Sequence, residues 1–239
     1  MPQASPLTAA GCALALLPGL ASATCTEDAM LVFDASGSMA EMGFNGLDRP
    51  RIHEARAALH DVLPNVTPLR RLGLVVYGPG ASEACSHVQL HLPPTPDAAA
   101  PILATIDGTE PDGNTALTEA VNRAIAAFEP PGAPGTVVVV TDGKETCGGA
   151  TCTLAARLAA EAPDLTVHVI GFRVRGTFFG WEGTDTNPEP EPVESVARCL
   201  ADQTGGLYLG TESTDQLIAA LNQTLGCPMF SALVPGRRD

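Results

Sequence analysis

Two stretches of this chain end in the same way, and between them they dictate the fold. Met30-Leu31-Val32-Phe33 runs straight into Asp34, and Val137-Val138-Val139-Val140 runs through Thr141 into Asp142. A strand buried on both faces of a parallel sheet is near-continuously apolar, and these runs fit that pattern. Ligands in open α/β sheets bind just beyond the carboxyl ends of such strands. Both aspartates therefore fall where a site belongs.

The first aspartate opens the sequence Asp34-Ala35-Ser36-Gly37-Ser38. One carboxylate and two hydroxyls on a tight turn are hard oxygen donors, suited to Mg²⁺, Mn²⁺ or Ca²⁺ and poorly suited to Zn²⁺. Gly37 is expected to relax the backbone between the serines. Ser and Asp after a strand commonly serve only as turn or cap residues, so the pattern takes its weight from its company. That company includes Gly113-Asn114-Thr115, which precedes a helical stripe of Leu117, Ala120, Val121, Ala124, Ile125 and Phe128. Thr115 thus sits at a helix start, where its hydroxyl could equally act as a cap.

In chain order, an Asp-x-Ser-x-Ser, a Thr and an Asp resemble the metal-ion-dependent adhesion site of the von Willebrand factor A domain. The resemblance covers the chain from about residue 29 to 225. It implies a metal-binding set of Asp34, Ser36, Ser38, Thr115 and Asp142. Ser36, Ser38 and Thr115 would coordinate directly and the aspartates partly through water. It also implies a doubly wound, mostly parallel six-stranded α/β sheet of Rossmann-like type, with strand order 3-2-1-4-5-6, one antiparallel edge strand and helices on both faces. The implied cofactor is Mg²⁺, or Mn²⁺ or Ca²⁺, and the implied partner is a protein offering an Asp or Glu. The implied function is adhesion or interaction without catalysis.

The rest of the chain alternates helical and strand patterns, as a parallel sheet requires. Helices are predicted over 50–63, stopped by Pro64, over 153–162, stopped by Pro163, and over 193–203. Strands are predicted over 72–77, 167–172 and 207–209. Val88, Leu90 and Leu92 alternate with Gln89 and His91, the mark of a half-exposed edge strand, here antiparallel to its predecessor. A Ser213-x-x-Gln216 pattern opens the last helix. His87 and His91 cannot share a metal, because four residues of strand separate them by about 13 Å. His168, in an apolar strand, reads as a hydrogen-bonded core or sheet-face residue.

Residues 1–23 carry no charge, hold an apolar run over 9–17 and end in Ala21-Ser22-Ala23. They read as a secretory signal peptide, leaving a domain over 24–228, a short tail over 229–239, and a secreted or periplasmic protein. Nothing later is long and apolar enough for a membrane span. A formal net charge of -14 argues strongly against nucleic acid and anionic membrane surfaces as partners.

With Cys12 inside the leader, Cys25, Cys85, Cys147, Cys152, Cys199 and Cys227 suit an oxidising compartment. Cys147 and Cys152 can close locally around Gly148-Gly149. The family resemblance brings the chain ends together and so implies Cys25 with Cys227, leaving Cys85 with Cys199 by elimination.

The loop over 173–192 has no clear period and contains Phe178, Phe179 and the only tryptophan, Trp181. Loops this long are usually functional or disordered, and this one follows a parallel strand. The aromatics are therefore expected beside the metal loops, either packed over the sheet edge or touching a partner. The rival to a binding module is a metal-dependent hydrolase acting on phosphate esters. Against it stands Ser36 where a second aspartate would be useful, with Glu145 as the nearest general-base candidate.

Overall fold

The two apolar runs lie side by side at the centre of a six-stranded sheet. The computed structural model describes residues 27–42, 49–80, 85–143, 145–173 and 193–226. Its strands are β1 (Asp28–Asp34), β2 (Leu72–Tyr77), β3 (Val88–Thr95), β4 (Gly135–Thr141), β5 (Leu165–Phe172) and β6 (Tyr208–Thr211). They are ordered β3-β2-β1-β4-β5-β6, and only the β2–β3 pair is antiparallel. This is the doubly wound order expected from the sequence. Its reversal point falls at β1 and β4, so the loops leaving these two strands diverge and open a crevice.

Alternation along the strands decides which helix covers which face. Leu31 and Phe33 of β1, Val138 and Val140 of β4, and Ile170 and Phe172 of β5 point to one side. There they meet α1 (Arg51–Val66), α2 (Ala99–Asp107) and α6 (Thr214–Leu225). Met30, Val32, Val137, Val139, Val167 and Val169 point to the other. That face is covered by α3 (Leu117–Ile125), α4 (Thr151–Glu161) and α5 (Val193–Thr204). Each such side chain, wholly removed from water, contributes on the order of 2 kcal/mol before the entropy of ordering is set against it.

Several elements differ from the sequence reading in ways that packing explains. Helix α1 runs through Pro64 to Val66. The amide that proline lacks would have bonded the carbonyl of exposed His60, on the solvent side, while Leu63 and Val66 bury on the core side. The Thr67 amide and hydroxyl both donate to the Leu63 carbonyl, at 3.0 and 3.1 Å, and close the end. Strand β3 continues through Pro93 and Pro94 to Thr95, which an edge strand tolerates. Helix α2 has no counterpart in the reading, because only Ile102 and Ile106 mark its buried face. Ser213 does cap α6, accepting from the Gln216 amide at 3.3 Å. In return, Gln216 Oε1 accepts from the Glu212 amide at 2.7 Å. His168 Nδ1 accepts from the Leu207 amide at 3.0 Å, and burial, reinforced by Arg70, pushes its pKa down, so it is a neutral, hydrogen-bonded residue of the interior strand β5.

The disulfides correct the expected pairing. Cys85 joins Cys147, with Cα atoms 5.5 Å apart, and Cys152 joins Cys199, at 5.1 Å. Cys147 and Cys152 therefore do not close on each other, and Cys85 does not meet Cys199. The β4–α4 loop is anchored through Cys147 to the β2–β3 connection, and the first turn of α4 through Cys152 to α5. Such bridges gain more by closing long loops than a local one around two glycines would. Cys25 and Cys227, residues 1–23, the tail over 229–239 and the loop with Phe178, Phe179 and Trp181 lie outside the described residues. Among the described residues no helix is long and apolar enough to cross a membrane.

A buried ion pair fixes the top of the α1 face. Arg173, at the end of β5 with φ +53°, pairs with Glu54 of α1 at 2.5 Å, and both side chains are at most a tenth exposed. Thr214, at the start of α6, donates to the same Glu54 oxygen at 3.3 Å.

Candidate metal centre

The first turn after β1 is folded around its own aspartate. Asp34 is wholly buried, and its Oδ1 accepts the Ser36 amide at 2.8 Å. Its Oδ2 accepts the Thr141 hydroxyl at 2.6 Å, and Thr141 in turn accepts from Tyr77 at 3.1 Å. Burial, together with the Asp34 charge, pushes the Tyr77 hydroxyl well above its ordinary pKa, so it remains a donor. Charge-assisted bonds of this kind fix the carboxylate in one orientation.

The two serines then meet the second aspartate. Ser36 Oγ and Ser38 Oγ are 3.1 Å apart, and Ser38 Oγ donates to Asp142 Oδ1 at 2.7 Å. The other oxygen of Asp142 accepts from Arg51 Nη1 at 2.8 Å. The same nitrogen donates to the Ser38 carbonyl at 3.0 Å, and Glu41 lies 3.4 Å from it. Burial and the neighbouring Asp34 charge raise the Asp142 carboxyl to about 7, against the opposing pull of Ser38 and Arg51. Two crowded, buried carboxylates that resist joint ionisation are what a bound cation would relieve.

Thr115 completes the set from the third loop. It is buried, and it precedes α3 without capping it: the N-cap position is Ala116, with no side-chain bond. A Cβ added at Gly143 would lie 3.6 Å from Thr115 Oγ1 and 3.7 Å from Ser38 Oγ, so the two hydroxyls border the same space beside the β4 turn. Thr146 holds Thr115 in place. Its hydroxyl accepts the Thr115 amide at 2.8 Å, and its amide donates to the Thr115 carbonyl at 3.0 Å.

Glycine acts here, but not where the sequence reading placed it. Gly37 has no left-handed backbone, and a Cβ there would make only ordinary contact, 3.5 Å from the Gly113 carbonyl. The positions that demand glycine are Gly78, at φ +109°, and Gly113, at φ +72°. A Cβ on Gly78 would strike the Ala35 carbonyl group and the Ser36 nitrogen, and one on Gly113 would strike the Gly78 carbonyl oxygen. The three loops are also laced together by Ala35 N to Tyr77 O at 2.9 Å, Gly37 N to Gly113 O at 3.0 Å and Asp112 N to Ala35 O at 3.0 Å.

The donors fit a hard divalent ion in kind. They are carboxylates and hydroxyls, the oxygen chemistry that Mg²⁺, Mn²⁺ and Ca²⁺ take. Among the described residues no group of three or more His, Cys, Asp or Glu forms an alternative metal cluster. Glu145, the general-base candidate, accepts the Thr118 amide on one oxygen at 2.8 Å and the Cys147 amide on the other at 2.7 Å. It ties the loop to the start of α3. Sequence reasoning had missed Arg51, Tyr77, Gly78, Thr141 and Thr146. Only Thr141, between an apolar run and an aspartate, carried a local signal.

Comparison with known proteins agrees with this fold. Residues 29–145 match the family model described as von Willebrand factor type A domain. No curated protein sequence matches the chain. Among solved structures, the fold is similar to the conserved hypothetical protein BatB from Bacteroides thetaiotaomicron. That match has 21% identity, covers 83% of this chain and 97% of that one, and has a TM-score of 0.59. Pilus adhesin SpaC from Lactobacillus rhamnosus GG has 17% identity and a TM-score of 0.60, over 83% of this chain and 30% of that one. Proximal thread matrix protein 1 from the mussel byssus, solved with a zinc-occupied MIDAS motif, has 18% identity and a TM-score of 0.56. The match covers 85% of this chain and 46% of that one. At these identities the structures show a shared fold, and with residues 29–145 matching the family model they lead to one conclusion: the sheet and its helices have the fold of a von Willebrand factor type A domain.

Proposed function

We propose that this protein is an exported interaction module that binds a divalent cation through Asp34, Ser36, Ser38, Thr115 and Asp142 and uses it to hold an Asp or Glu of a protein partner. The observation that carries the reading is the network from buried Asp34 through Ser36 and Ser38 to Asp142, at the crevice where the sheet order reverses. Mg²⁺ is the first choice of ion, with Mn²⁺ and Ca²⁺ as substitutes. The zinc-occupied site of the mussel protein supports a divalent ion in general. When bound, the ion supplies Lewis acidity and a coordination position for a carboxylate.

The protein's own residues set what that ion can do. Asp34 and Asp142 already spend their oxygens on Ser36, Thr141, Ser38 and Arg51, which suits them to act partly through water while Ser36, Ser38 and Thr115 coordinate directly. Few full charges then face the ion, and it keeps its attraction for a partner's acid. Specificity comes from the surround. The loop over 173–192 leaves the carboxyl end of β5, on the edge shared by the β1 and β4 loops, and Phe178, Phe179 and Trp181 are proposed as its apolar anchors. Export follows from the leader-like residues 1–23 and agrees with the two disulfides.

Affinity capture from the exported fraction of the source cell tests this function. A partner should be retained in Mg²⁺ and lost in EDTA or with Asp34→Ala. Trp181→Ala should weaken the same partner by roughly 2 kcal/mol and leave cation affinity unchanged. Retention that is indifferent to chelator would count against the metal-bridged carboxylate.

A further inference from the structure

Among the described residues, Arg51 is the one cation that touches the proposed metal-binding set, and its position is specific. As the first residue of α1, it reaches back to the loop that precedes the helix, and its side chain is only 14% exposed. Nη1 contacts both halves of the site at once, Asp142 Oδ2 at 2.8 Å and the Ser38 carbonyl at 3.0 Å. Nε is buried and has no hydrogen-bond partner, so the guanidinium is held through Nη1, by the two site oxygens and more distantly by Glu41. Asp34, Asp142 and Arg51 sum to a formal charge of −1, from two carboxylates and one guanidinium. Glu41, whose side chain is 66% exposed and 3.4 Å from Nη1, is screened by water and adds little.

We infer that Arg51 is a resident counter-charge. It holds Asp142 by its outer oxygen and keeps cation affinity below what the five oxygen donors alone would give. This rests on the proposed function above. A divalent ion added to a −1 cluster leaves a net +1 at the crevice, which favours an anionic ligand. Without Arg51 the same ion would be neutralised by the two carboxylates and bound more tightly. Arg51 is thus a positioning residue that exchanges strength of cation binding for attraction toward the partner's acid.

The inference predicts a gain where a merely structural role predicts a loss. Coulomb's law gives a unit charge within roughly 6 Å of a divalent ion about a tenfold effect on its binding, even at the dielectric of water. The full chain, without its leader, is titrated with Mn²⁺ alone by calorimetry at low ionic strength, with folding checked by circular dichroism. Arg51→Gln should bind Mn²⁺ about tenfold more tightly than wild type, and Arg51→Lys, which keeps the charge, should return affinity close to wild type. Arg51→Met keeps the aliphatic stem and supplies a second neutral variant should the Gln protein fail to fold. Equal or weaker binding in a folded neutral variant, with wild type binding normally, overturns the counter-charge while sparing the metal site. No binding by wild type and neutral variants alike removes the metal site and the inference with it.

Discussion

Replacing Glu54 with alanine is expected to lower the unfolding free energy by roughly 3–5 kcal/mol, among the largest single-residue losses in the domain. Glu54 sits on the core side of α1, and its carboxylate meets Arg173 at 2.5 Å and the Thr214 hydroxyl at 3.3 Å. The gain from such a pair over an apolar one is small, because two ions had to be taken out of water. The loss on deleting one partner is large, because Arg173, only 3% exposed, keeps its desolvation cost and loses the 2.5 Å bond that Glu54 supplied. Arg173 also holds a left-handed backbone at the end of β5, so the change should loosen the point where the following loop begins. Urea denaturation measures the difference directly. A loss under about 1 kcal/mol would mean that water or another carboxylate replaces Glu54.

The second large effect is expected from Gly78→Ala, a change that removes no hydrogen bond and no charge. At φ +109° a side chain is strained by about 1–3 kcal/mol before any contact is counted. The new methyl would also press on the Ala35 carbonyl and the Ser36 nitrogen, backbone atoms with no freedom to yield because Ala35 is bonded on both sides. Relief requires the turn that carries Ser36 to move, and with it the amide that orients Asp34. The variant should lose at least about 2 kcal/mol of stability and bind cations at least tenfold more weakly. Gly37→Ala is the control, since the position has ordinary backbone and room for a Cβ. If the two variants behave alike, the close approach at Gly78 is not what shapes the loop.

The sheet was legible because its signals are local and redundant. Four consecutive valines in β4 can hardly be anything but a buried strand, and the alternation of Val88, Leu90 and Leu92 announced an edge. Boundaries failed where tertiary packing overrode a breaker, as at Pro64, or where an element buries only two large side chains, as in α2. The site divided along the same line. Asp34, Ser36, Ser38, Thr115 and Asp142 were found because they follow strand ends or a helix start in a recognisable order. Arg51, Tyr77 and Thr146 were not, since each is joined to the site by proximity across the sheet and by no spacing along the chain. The disulfides failed for that reason too: a short separation suggested Cys147 with Cys152, whereas the fold turns these residues toward different neighbours.

The loops after β1 and β4, with Thr115 between them in the chain, are proposed to bind a divalent cation. Calorimetric titration of Mg²⁺ and then Mn²⁺ into the purified, chelator-treated protein, in parallel with Asp34→Ala, tests this most directly. One saturable site of modest affinity is expected in the wild type and none in Asp34→Ala, while the circular dichroism of the two proteins is the same. Unchanged binding in Asp34→Ala, or none in the wild type, would contradict the proposal.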